Sequence, residues 1–260
     1  MRFLISTIAI VIVVAVSIIL VNQWRIDQLI IKENKKFMTD YLKTADGVNI
    51  AYNLYGAKNP KGWLVLVHMM PATKESWQEF AKTAQQLGYE SIAIDLRGHG
   101  QSDGGPNDYQ KFSDAEHQAS INDLEGAWKF LESRGAKPEK TAVIGASIGA
   151  NLAIQFLTQH LEVSSGAFLS PGDYRGLDSG ALVKKLSPNQ KVVFAASRKD
   201  GRAAGNNAAQ NQEYYNLAPA KNKRLILFDQ LGHGTELLDL KNEFDLTGAI
   251  MKFLDHGSIN

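Results

Sequence analysis

Three residues of this chain could together perform acyl transfer. Ser147 stands at the centre of Gly145-Ala146-Ser147-Ile148-Gly149, a G-x-S-x-G pentapeptide. The pattern suits a strand that turns sharply into a helix. The serine then sits at the apex in a strained backbone conformation, and glycines two residues to either side relieve the crowding that side chains would cause. Its hydroxyl is exposed by the turn, the N–H of Ile148 points at the reaction centre, and the helix N-terminus adds positive potential where an oxyanion would form. A serine that only caps a helix can give a similar pentapeptide, so the flanking elements decide between the two.

A serine hydroxyl is a poor nucleophile at neutral pH and needs a base, which in turn needs an orienting group. Of the histidines at positions 68, 99, 117, 160, 233 and 256, His233 lies just after the last predicted strand, in Asp229-Gln230-Leu231-Gly232-His233-Gly234. Flanking glycines would let its ring reach over the sheet edge. His117 and His160 fall within or at the end of helical patterns and read as solvent-facing, and His256 lies in the C-terminal tail. Asp200 comes after another strand, 53 residues after Ser147 and 33 before His233. The chain order Ser, Asp, His is that of one hydrolase architecture. Asp200 could instead cap a helix. Asp229 is the alternative acid, placed less naturally to reach the far imidazole nitrogen.

These residues need a scaffold that delivers strand ends to one place. Ala45-Asp46-Gly47 between the segments Tyr41–Thr44 and Val48–Tyr52 reads as a hairpin turn, since Asp-Gly favours such turns. Short apolar runs at 63–68, 91–95, 141–145, 166–170, 191–196 and 224–229 read as buried parallel strands. Helical patterns lie between or after them at 74–87, 113–134, 148–160, 202–217 and 240–254, and Ser113-Asp114-Ala115-Glu116 fits a capping box. The alternation implies an α/β fold, a mostly parallel sheet with helices on both faces. In such sheets ligands bind at the carboxyl ends of the strands.

The chain resembles the α/β-hydrolase superfamily over residues 41–254. Besides the serine turn, His68-Met69-Met70-Pro71 followed by Ser76-Trp77 is similar to the family's oxyanion loop. Asp95-Leu96-Arg97-Gly98-His99-Gly100-Gln101-Ser102 is similar to its D-x-R-G-x-G-x-S loop, and the hairpin ending in Tyr52 and Tyr55 to its first two strands. The resemblance implies that the Met70 amide is the second oxyanion donor beside that of Ile148, and that His68 and His99 are structural. Met69 departs from the glycine most common there. The resemblance also implies a serine esterase with little or no lid, because only about twenty residues separate residue 170 from the strand at 191. The implied reaction is ester hydrolysis by a Ser147–His233–Asp200 triad on a small-molecule ester, with no cofactor and no metal. Peptidase, thioesterase or haloperoxidase action on the same fold, and a membrane-tethered binding protein without turnover, are the alternatives.

Residues 3–21 form an uncharged run in which only Ser6, Thr7 and Ser17 are polar, long enough to cross a bilayer as a helix. Ile18-Ile19-Leu20-Val21 continues beyond the sole small-x-small site at Ala15-Val16-Ser17, which favours an uncleaved signal anchor over a cleaved signal peptide. The expected organisation is therefore an anchor at 1–22, a juxtamembrane linker at 23–40 and the catalytic domain at 41–260. Arg25, Lys32, Lys35 and Lys36 after the run favour a cytoplasmic domain if counted literally, whereas a short basic N-terminal tail is typical of export. An extracytoplasmic domain is expected. The 260 residues carry 28 Lys+Arg against 27 Asp+Glu, a net charge of +1 that offers no field to attract nucleic acid. The absence of cysteine excludes disulfides, thiolate metal sites and a cysteine nucleophile.

Overall fold

A computed structural model describes residues 20–25, 39–201, 207–239 and 244–257. The chain divides into two units, residues 1–39 and 40–260. In the first, residues 20–25 are helical and expose Leu20, Val21 and Trp24. Among the described residues no helix is long and apolar enough to cross a membrane. The run 3–21 on which the anchor expectation rests lies, but for its last two residues, outside the described residues.

The second unit is built on an eight-stranded sheet. Its strands are β1 (Asp40–Lys43), β2 (Asn49–Tyr55), β3 (Gly62–Val67), β4 (Tyr89–Ile94), β5 (Thr141–Ala146), β6 (Ser165–Leu169), β7 (Lys191–Ser197) and β8 (Asn222–Phe228), in the order β1-β2-β4-β3-β5-β6-β7-β8. β2 runs antiparallel to β1 and β4, and every other pairing is parallel. Each predicted apolar run is thus a strand, with ends moved by at most two residues.

Why the central strands lack polar alternation is plain from the packing. Both faces of the sheet are covered, so every residue of β3, β5 and β6 is buried. Along β3, Trp63, Val65 and Val67 enter the core on one face, while Leu64 and Leu66 enter the core on the other. The first face is covered by α3 (Ile121–Ser133), α4 (Ile148–Gln159) and α6 (Asn207–Leu217), and the second by α1 (Gln78–Gln86) and α7 (Leu246–His256).

Three expectations are corrected. The pattern at 74–87 begins as a 3₁₀ turn, Lys74–Trp77, before α1. The pattern at 113–134 is two helices, α2 (Asp114–Gln118) and α3, the first opened by the expected Ser113–Glu116 capping box. Where they join, the N–H groups of Ser120, Asn122 and Asp123, the last two already in the first turn of α3, donate to carbonyls three residues back, which re-aims the chain. His117 is buried against Phe112 rather than solvent-facing. The periodicity could not show this, because Phe112 lies outside the helix. The patterns at 202–217 and 240–254 begin on residues outside the described ones.

Candidate active site

Ser147 comes directly after β5 and is the N-cap of α4, with φ 52° and ψ −117°. A non-glycine residue at positive φ is costly and persists only where its surroundings enforce it. Here they do. A Cβ added to Gly145 would fall 2.0 Å from the Gly149 carbonyl oxygen, and one added to Gly149 would fall 2.4 Å from that of Val67. The helix therefore starts pressed against β5 and the end of β3, and only glycine fits at either place. The Ser147 N–H donates to Leu169 O at 2.8 Å. Its side chain does not cap the helix, so the capping alternative fails and Oγ is left to other uses.

The Ile148 N–H opens α4, and among the described residues it donates to no other group. The same holds for the Met70 N–H in the loop after β3. Both amides are thus uncommitted, as the donors of an oxyanion site must be. Met69 is buried with the core on the α1 and α7 side, and Met70 packs partly buried against the other core. Met69 is not at positive φ, which is why a side chain is tolerated where the superfamily most often has glycine.

His68 holds this loop from beneath. The Leu96 N–H donates to its Nε2 at 2.9 Å, so the ring proton sits on Nδ1, 2.8 Å from Met69 O. The loop after β4 is locked in turn. Asp95 accepts from the Lys74 N–H at 2.7 Å, from Lys74 Nζ at 2.8 Å and from the Gln101 N–H at 2.9 Å. Arg97 binds Asp123 and Asp46, and Ser102 Oγ donates to Asp95 O at 2.6 Å. Sequence reading missed Lys74 and Asp123 because each looks like the polar side of a helix. Burial holds His99 down to about 3, with His68 adding repulsion. Burial also lowers His68 and His117. Neutral, buried and structural, these rings are no candidates for a base.

His233 is different. Its Nδ1–H donates to Asp200 Oδ2 at 2.5 Å, leaving Nε2 as the basic nitrogen. Asp200 is buried after β7, whereas Asp229 is exposed and pairs with Arg198 at 3.2 Å. Between the two acids, Asp200 is the one that meets the histidine. No hydrogen bond joins Ser147 Oγ to the His233 ring among the described residues. Such contacts often tighten only when substrate is bound. The loop nevertheless sits beside the serine turn, because a Cβ on Gly234 would lie 3.3 Å from that of Ala146. His160 lies between Glu125 and Glu162, and His256 is exposed at the end of α7.

Residues 170–190 between β6 and β7 hold one short helix, α5 (Ser179–Val183), so no helical lid is inserted there. A separate cleft of about 540 Å³, lined in part by Glu75, Glu79, Glu236 and Asp245, includes neither Ser147 nor His233. Among the described residues no cluster of three or more His, Asp or Glu side chains is arranged to hold a metal.

The order of strands, the serine turn and the positions of the loops define an α/β-hydrolase fold. A family model described as serine aminopeptidase, S33, matches residues 58–186. Solved structures with the same fold include an esterase of Pyrococcus furiosus, 18% identical over 85% of this chain and 92% of its own, with a TM-score of 0.63. An enol-lactonase of Burkholderia xenovorans LB400 is 13% identical over 84% of this chain and 100% of its own, with a TM-score of 0.64. Non-heme chloroperoxidase CPO-A1 of Kitasatospora aureofaciens is 38% identical over 85 residues, which span 31% of this chain and 27% of that protein. By these likenesses the chain has the fold of the α/β-hydrolase superfamily.

Proposed function

We propose that the protein is a serine hydrolase that cleaves carboxylic esters. The observation that carries this reading is the buried His233–Asp200 pair at 2.5 Å beside a serine held at positive φ. Ser147 Oγ attacks the ester carbonyl while His233 Nε2 takes its proton, and the Met70 and Ile148 amides hold the oxyanion. His233 then gives the proton to the departing alkoxide. In the second half, water adds its hydroxyl to the acyl carbon and its proton to His233 Nε2, and His233 returns that proton to Ser147 Oγ as the acyl–oxygen bond breaks and the acid leaves. Asp200 keeps the imidazole oriented through the Nδ1–H hydrogen bond. The short segment between β6 and β7 supports a preference for small or exposed acyl groups. The run 3–21 supports a signal anchor with the domain extracytoplasmic.

Hydrolysis of p-nitrophenyl esters of increasing acyl length tests the reading. Short esters are expected to turn over. Ser147→Ala should lose activity by about 10³-fold or more, and Asp200→Asn by about 10³–10⁴-fold. Asp229→Asn should leave it unchanged, and the full chain's activity should sediment with membranes. Equal rates for parent and Ser147→Ala would sink the proposal, and activity wholly in the soluble fraction would sink the anchor. The description of the matching family model favours peptide cleavage as a second reading. Faster release from aminoacyl nitroanilides than from any ester would select it.

A further inference from the structure

Ser170 has no part in the proton transfers above, yet its place in the fold links the two groups that exchange the proton. It comes directly after β6, is buried, and has φ 53°. Its N–H donates to Ala195 O at 2.7 Å, which anchors it to β7. Its Oγ accepts the Gly234 N–H at 3.0 Å, and Gly234 is the residue after His233. The carbonyl of Leu169, the residue before Ser170, accepts the Ser147 N–H at 2.8 Å. Two hydrogen bonds and one peptide unit therefore run from the backbone of the serine nucleophile to the backbone of the histidine loop.

The rest of that loop is fixed from other directions. Ser197 Oγ donates to Gln230 O, tying the loop to β7 on the acid side. Glu236 Oε2 accepts the His233 N–H at 3.0 Å. Gly234 has φ 57°, and a Cβ there would lie 2.7 Å from Met69 Sδ. Met69 thus limits how the loop can shift, while Ser170 holds it by a hydrogen bond. Ser170 is the tie that comes from β6, the strand hydrogen-bonded to the nucleophile's own strand.

We infer that Ser170 is a positioning residue that sets the separation of His233 from Ser147. The inference rests on the serine-hydrolase reading for its catalytic consequence. A shift of about 1 Å between reacting groups can cost about 10²-fold in rate, so a hydroxyl that fixes this separation is read in kcat and not in substrate affinity.

Ser170→Gly removes the hydroxyl and tolerates the positive φ, and Ser170→Ala removes it while keeping Cβ. Ser165→Ala is the control, since it removes an equally buried hydroxyl from the opposite end of the same strand. Steady-state hydrolysis, thermal unfolding and the downfield proton NMR signal of the His233–Asp200 hydrogen bond are measured on all of them. Both Ser170 variants are expected to lose kcat by about 10- to 100-fold, with KM within about twofold. Their His233 signal should broaden or shift while Ser165→Ala keeps the parent's values. Parent-like kcat and an unmoved signal in Ser170→Gly would overturn the inference. So would a loss that merely tracks the fraction unfolded and is matched by Ser165→Ala. A parent that turns over no ester sinks the hydrolase reading instead, and the His233 signal then decides the positioning role without turnover.

Discussion

Ser147 and Ser170 end neighbouring parallel strands, share a positive φ, and donate their N–H groups to the next strand over. Their downstream chains differ. After Ser147, Ile148 opens a twelve-residue helix and leaves an uncommitted N–H beside the hydroxyl. After Ser170, Pro171 has no N–H to offer, and the chain enters a loop held by Asn207 and Asn211 through the Pro171 carbonyl. The Ser170 hydroxyl is spent on the Gly234 N–H. On the proposed function, one backbone corner makes a nucleophile where a helix start supplies positive potential, and a brace where it does not. What distinguishes them is the environment of the hydroxyl, not the strain.

The residues two positions downstream give the most severe test of that contrast. Gly149 is jammed against the Val67 and His68 carbonyls, whereas a Cβ on Gly172 would meet Gln210 Oε1 at an ordinary 3.6 Å. Gly149→Ala is expected to cost about 3 kcal/mol or more by overpacking, and to abolish activity. Gly172→Ala should stay within about 0.5 kcal/mol of the parent. Denaturant melts of both variants check this, and equal costs would erase the distinction between the corners.

Acid provides a gentler probe. The Ser147 corner leans on the His68 backbone, and His68, His99 and His117 are all lowered by burial, His99 to about 3. An unfolded chain takes up these protons near pH 6.5, and the folded one only further down, so the unfolded state binds more protons in between. Stability should be intact above about pH 6.5 and fall toward pH 3, by up to about 1.4 kcal/mol per pH unit for each histidine. His99→Asn should flatten the slope. Hydrogen exchange should loosen the amides near Ser147 before that of Ser170. Stability that is flat from pH 7 to 5 would contradict the assignment of these rings as neutral supports.

Much of this was legible in the sequence. The strands β3 to β7 announced themselves as apolar runs because both sheet faces are covered there, whereas β1 and β2 were read from the Asp-Gly turn between them. Ser147 was legible because its corner needs glycine on both sides, which leaves a pentapeptide signature. Ser170 was not, since neighbours Phe168 and Pro171 read as an ordinary strand end. Asp200 and His233 were legible from their places, each in a loop that opens at the carboxyl end of a strand, where a parallel sheet gathers its functional side chains. Lys74, Asp123 and His117 were hidden for the opposite reason. Each is a polar residue in a helical or turn pattern whose burial depends on a partner elsewhere in the chain: Asp95, Arg97 and the Phe112 ring packed nearby. Periodicity reports which side of an element is apolar, and it carries no record of a polar group that is buried because another group meets it.

Ser147 as the nucleophile is tested most directly by treatment with a fluorophosphonate, then mass-spectrometric mapping of the modified residue. A single adduct on Ser147, absent from Ser147→Ala and formed far more slowly in Asp200→Asn, is the predicted result. An adduct on another serine, or none on the folded protein, would contradict it.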